Sequence, residues 1–176
     1  MKINILLLSL LLISAFPSSA EDGKDLFAAA ATGNLDRVQA LLAQGIDVNS
    51  KIEQDRTPLM GASFNGNLRI VKLLLGYGAD VNIADKLGST ALSDAVLFGN
   101  VDVVKLLIMA GANVNAVDSQ GVRIIDKAKK LSQAHIIELL EQAGATSAPV
   151  ETSPEQSADT EAKPEEQSPT EQNPKP

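Results

Sequence analysis

The sequence predicts an all-α fold: a solenoid of four helix-turn-helix units joined by projecting loops. Three observations lead to it. Aligned on itself at an offset of 33, the chain superimposes Leu59, Leu92 and Ile125; Ala29, Ala62, Ala95 and Ala128; Gly45, Gly78, Gly111 and Gly144; and Asn49, Asn82 and Asn115. Inside each unit, apolar residues recur at helical spacing between glycines that suit helix ends. Between a hydrophobic leader, Met1 to Ala20, and a tail, Thr146 to Pro176, lies a middle segment, Glu21 to Ala145, of a size for one domain.

The leader comes first. Lys2 precedes the apolar run Ile3 to Ile13, and Pro17 leads into Ser18-Ser19-Ala20. This is the layout of a secretory signal peptide with small residues at the cut. The run falls short of the roughly 20 apolar residues a membrane-spanning helix needs. Residues 1–20 are therefore expected to be removed, so that the mature protein starts at Glu21 without membrane insertion. The expected location is the periplasm, with secretion from the cell as the alternative.

The units follow in order. The first, about 21–50, begins with a helix from Asp25 to Thr32 and lacks the loop that precedes later units. In the second, 51–84, Thr57 is a good N-cap, because its side-chain oxygen receives a backbone N–H. Pro58 fits the first helical position, where its missing N–H would be unpaired anyway. Gly66 ends that helix, and Val71, Leu74 and Leu75 line a second one that stops at Gly78. The third unit, 85–117, repeats the plan with Thr90-Ala91-Leu92, Gly99, then Val104, Leu107 and Ile108, then Gly111. Gly88 and Gly121 suit tight turns in the loops. The fourth, 118–145, degrades to Arg123-Ile124-Ile125-Asp126 and puts Ser132 where glycine belongs. Terminal units are expected to be atypical, since one face of each meets water. Lys127, Lys129 and Lys130 are assigned to that solvated face.

The units close with Gly78-Ala79-Asp80-Val81-Asn82 and Gly111-Ala112-Asn113-Val114-Asn115, after the variant Gly45-Ile46-Asp47-Val48-Asn49, and open with Thr57-Pro58-Leu59 and Thr90-Ala91-Leu92. In period and motifs the middle resembles ankyrin repeats. That resemblance implies a non-enzymatic module that binds other proteins, with loop tips and first helices lining a concave, partner-facing surface. Two departures stand out. Where many ankyrin repeats place a histidine that bonds the threonine hydroxyl, this chain has Met60, Ser93 and Asp126. The second unit also replaces the loop aspartate and glycine with Ile52 and Asp55, so the loop Ser50 to Arg56 is expected to bend differently from Asp85 to Ser89.

Composition argues against several chemistries. The net charge is −7, with seven acidic and two basic residues in the tail. Phosphate backbones are bound mainly through Lys and Arg, so nucleic acid is not an expected partner. No cysteine is present, which removes disulfides, thiol nucleophiles and thiolate metal sites. The lone His135 has no partner at a recognisable motif spacing, and Asp47, Asp80, Asp85 and Asp118 read as turn formers. Gly76-Tyr77-Gly78 lies at a helix end, not before a helix, and is no phosphate cradle. Catalytic residues, metals and cofactors are thus not expected. The tail holds six of the eight prolines and almost no large apolar side chain, and is read as a disordered spacer dispensable for folding.

Repeated positions serve packing, so positions that vary between units are the candidates for recognition. In the loops these are Glu53, Gln54 and Arg56; Lys86, Leu87 and Ser89; and Ser119, Gln120 and Val122. At the ends of the first helices they are Phe64 and Asn65, Leu97 and Phe98, and Lys130 and Leu131. Leu87, Phe64 and Phe98 are the expected anchors, since large apolar side chains carry most interface energy. The competing reading has both phenylalanines filling space between helices. The expected partner of this monomer is a protein. An immunity-type inhibitor of a toxin and a secreted effector that binds host proteins are the alternatives.

Overall fold

The computed structural model describes residues 20–147; most of the expected leader and the tail from residue 148 onward lie outside them. Eight α-helices follow one another: α1 Ala20–Thr32, α2 Leu35–Ala43, α3 Pro58–Phe64, α4 Leu68–Gly76, α5 Ala91–Leu97, α6 Val101–Met109, α7 Ile124–Lys130 and α8 Ala134–Gln142. Among the described residues there is no β-strand. Ala84 and Thr90, and Val117 and Arg123, pair as isolated antiparallel bridges at the loop bases. The first helix differs from expectation: α1 begins five residues before Asp25. Its extra turn brings Gly23 against Ser50, whose Cβ would stand 3.1 Å from any Cβ at position 23.

The first helices α1, α3, α5 and α7 pack on one another in chain order, and so do the second helices α2, α4, α6 and α8. Each second helix also packs on the first helix of its own unit. Helices of seven and nine residues are too short to persist alone, so this packing is what stabilises them. Leu26, Leu59, Leu92 and Ile125 fill the first layer, and Val38, Val71 and Val104 the second, all nearly inaccessible.

Polar groups recurring in the middle units fasten the layers. Thr57 Oγ1 accepts from Met60 N at 3.4 Å, and Thr90 Oγ1 from Ser93 N at 3.3 Å, as N-caps do. The Ser93 hydroxyl also lies 3.3 Å from the Thr90 hydroxyl, so serine supplies part of what the absent histidine would. At the other end, Asn67 Nδ2 reaches back to donate to Ala30 O and Ala31 O, both at 2.9 Å. Asn100 Nδ2 does the same to Ser63 O at 2.8 Å and Phe64 O at 3.0 Å. The last carbonyls of a helix have no partner inside it, so each asparagine closes the helix of the preceding unit. Near the second helices, Asn49, Asn82 and Asn115 Oδ1 accept from the backbone N–H of Asp80, Asn113 and Thr146 at 2.8, 2.8 and 2.9 Å.

The loops form a third ladder. Lys86 N donates to Gln54 O at 3.0 Å, and Ser119 N to Leu87 O at 2.9 Å. Asp85 Oδ1 accepts from Leu87 N and Ser89 N, and Asp118 Oδ1 from Gln120 N and Val122 N, which fixes both loops as turns. With isoleucine at the equivalent position, the loop of the second unit bends otherwise. Glu53–Asp55 form a 3₁₀ turn in which Gln54 and Asp55 take positive φ of 63° and 60°. Gly88 cannot be replaced so simply: at φ 73°, a Cβ there would stand 2.9 Å from the backbone of Asp118 and Ser119.

Candidate partner-binding surface

The loop ladder sets a row of side chains at the tips. Glu53, Gln54, Lys86, Ser119 and Gln120 are exposed, and Leu87 is 62% exposed although large and apolar. Because Gln54, Lys86, Leu87 and Ser119 hold one another through the main chain, these tips are positioned and not merely accessible. Ser89 and Val122 sit lower and are half-buried.

Arg56 is placed differently from the other loop candidates. Its guanidinium turns toward the next unit, with Nη1 3.2 Å from Asp85 Oδ2 and Nη2 2.7 Å from Asp94 Oδ2. The carboxylates are 3% and 7% exposed, so Arg56 is a strut between units and not a free contact at a loop tip. Burial pushes the Asp94 carboxyl above the usual carboxylate range, against the opposing pull of Arg56. Sequence reasoning missed this cluster, yet it left a signal. At the offset of 33, Asp94 aligns with Ala28, Gly61 and Lys127, and Arg56 with Gly23, Ser89 and Val122. Two opposite charges in adjacent units, each at a position otherwise filled by dissimilar residues, mark a private contact.

The ends of the first helices carry apolar surface. Phe64 and Phe98 pack on each other across the unit boundary, with ring centroids 3.8 Å apart and planes tilted by 46°. They remain 38% and 48% exposed. Each ring therefore serves partly as filler between units and partly as surface. Asn65 beside them is exposed, with Nδ2 3.4 Å from Gly61 O. Leu97 and Leu131 are 49% and 44% exposed and help line a cavity of about 360 Å³ between α5 and α7.

Charge surrounds that cavity. Lys127, expected on a solvated face, instead points into it and pairs with Asp118 at 2.7 Å, its side chain only 20% exposed. The reason is local: Asp118 already accepts two backbone N–H groups through Oδ1, and its free Oδ2 faces α7. The hydrogen bond from Lys127 holds the Asp118 carboxyl below the usual range. Lys130 reaches the same cavity and is exposed. His135, the second residue of α8, is exposed and lies in the layer of second helices. Among the described residues, no group of three His, Cys, Asp or Glu side chains is arranged to hold a metal. The surface offers apolar contact framed by fixed charges.

A family model described as ankyrin repeats, three copies, matches residues 26–118, just over half of the chain. The chain belongs to the ankyrin repeat family. Ankyrin repeats generally mediate protein–protein interaction as non-enzymatic modules. The matched span takes in the helix pairs from Leu26 to Met109, and α7 with α8 adds one more pair packed in the same ankyrin manner. No curated protein matches the chain.

Proposed function

We propose that the protein binds another protein through its loop tips and the exposed ends of its first helices, and that it does so after export, in the periplasm. Exposed apolar groups at the first helices support the binding reading: Phe64 and Phe98 pack on each other, Leu97 and Leu131 line one cavity, and Leu87 stands at a loop tip, all at 38% exposure or more, while Tyr77 and Met109 are exposed at the ends of second helices. Clustered apolar groups that face water are the usual mark of an interaction surface. The leader-like residues 1–20 support the export reading. Site-specific photocrosslinking in the native compartment tests both. A crosslinker at Leu87 or Phe98 should capture one discrete partner, whereas the same group at Arg69 or Lys72, exposed on α4, should not. Capture from Arg69 and Lys72 alone would move the surface to the second helices. Recovery of the uncleaved chain from the cytoplasm alone would refute export.

A further inference from the structure

We propose that the cavity between α5 and α7 is a pocket for one aromatic side chain of the partner, whose ring lies between Leu97 and Leu131. This rests on the protein-binding reading and names the chemistry that one part of the surface selects. The other unit boundaries show what such a space takes. Between units one and two the ring of Phe27 lies over Gly61, so close that a Cβ there would stand 3.1 Å from Cε2 of the ring. Between units two and three the rings of Phe64 and Phe98 meet at 3.8 Å, and Arg56 reaches across to Asp85 and Asp94. In the 33-residue register, the places of Phe27, Arg56, Phe64 and Phe98 fall at the last boundary on Ser93, Ser89, Leu97 and Leu131. Every replacement is smaller. All four line the cavity of about 360 Å³. The last boundary is thus built like the others, without the ring that fills them.

The charges on the cavity wall do not call for an ion. Asp94 is held by Arg56 and Asp118 by Lys127, at 2.7 Å each, so an ionic occupant would have to compete with pairs already made. A ring needs only the apolar walls, which Leu97, Val122 and Leu131 supply. Lys130 stands exposed at the rim, where an ammonium over a ring face adds attraction. The volume lies at the low end of ligand pockets, which run from roughly 300 to 1,000 Å³. It therefore suits one ring and not an extended ligand. A large, rigid aromatic seated in such a pocket is the kind of anchor that dominates an interface.

Indole and N-acetylleucinamide, titrated separately into the full chain with labelled leucine and valine methyl groups, test this by NMR. Indole at millimolar concentration should shift the methyl signals of Leu97, Val122 and Leu131 saturably through its ring current. Those of Val38, Val71 and Val104, in the second-helix layer, should stay in place. N-acetylleucinamide should need at least about tenfold more for any shift. L97F and L97F/L131F recreate at this boundary the ring pair of the one before it. Both should abolish the indole shift at Val122 while the thermal midpoint holds or rises. Intermolecular NOEs from indole to Leu97 and Leu131 in the unaltered chain place the ring without any variant. Absence of those NOEs at saturation would overturn the proposal, as would equal potency of the leucine amide, or an undiminished Val122 shift in folded L97F/L131F. No partner enters these readouts. Capture at Leu87 or Phe98 without indole binding would therefore sink the pocket alone. Indole binding without any capture would instead overturn the protein-binding reading, and the partner with it.

Discussion

At Arg56, one guanidinium serves two carboxylates that water barely reaches. Removing one member of such a cluster is costlier than removing the cluster, because the remaining charge keeps its desolvation cost without its counter-ion. R56A should lower unfolding free energy by about 2–3 kcal/mol, toward the low end of buried pairs because Arg56 is itself a quarter exposed. R56A/D94A should cost less than the two single changes summed, since alanine already stands at the register equivalent of Asp94 in the first unit, Ala28. Urea titrations of the three variants check this. The two perturbed carboxyls respond to pH in opposite ways. Asp94 has a folded pKa above its unfolded one, so its stabilising contribution is full below the unfolded value and disappears as pH rises through the folded one. Asp118 has a depressed folded pKa, so its contribution is present above the unfolded value and disappears as pH falls through the folded one. In a carboxyl-detected NMR titration Asp118 should protonate at lower pH than Asp94. The reverse order would mean that the Lys127 pair is open in solution.

Two of the first helices, α1 and α3, depend on the following unit to finish them. Asn67 and Asn100 each supply two hydrogen bonds to the end of the preceding first helix. N67A and N100A should each lose about 2 kcal/mol, and hydrogen exchange should quicken at the end of the helix before the mutated unit, not within it. Loss confined to the mutated unit would show that the clamp is idle. The starts and stops of these helices were legible in the sequence because capping is local: Thr57, Pro58 and Thr90 act within three residues of themselves. The different bend of the loop at Ser50 to Arg56 was legible for the same reason, from the missing aspartate and glycine. The asparagine clamps were not, since they join atoms 36 and 37 residues apart and nothing local distinguishes a clamp from a turn residue. The period also placed Asn49, Asn82 and Asn115 in one register without saying what they bond.

Across the whole molecule, stability should be lowest where the repeated devices fail. In the last unit Arg123 gives α7 no side-chain cap, Ser132 is forced to φ 55°, and buried Gln133 Oε1 lacks a hydrogen-bond partner. Hydrogen exchange should therefore be fastest in α7 and α8 and slowest in α3 to α6. S132G should raise unfolding free energy by about 0.5–1 kcal/mol by relieving the left-handed conformation. Q133N, which restores the clamp residue of the earlier units, should add a similar amount; equal protection in all units would refute this ordering. The stack of helix pairs followed from the period alone. Which candidates are struts was hidden, because that depends on a residue one unit away. Interchangeability of the units follows from the same distinction. The three ladders use atoms that successive middle units carry, so a second copy of residues 85–117 spliced after Val117 would find main-chain partners on both sides. The copied Asp94, however, would face Ser89 where the original faces Arg56, and a lone carboxylate would be buried. The order of the units is therefore encoded in one acid, while their ability to stack is common to them all.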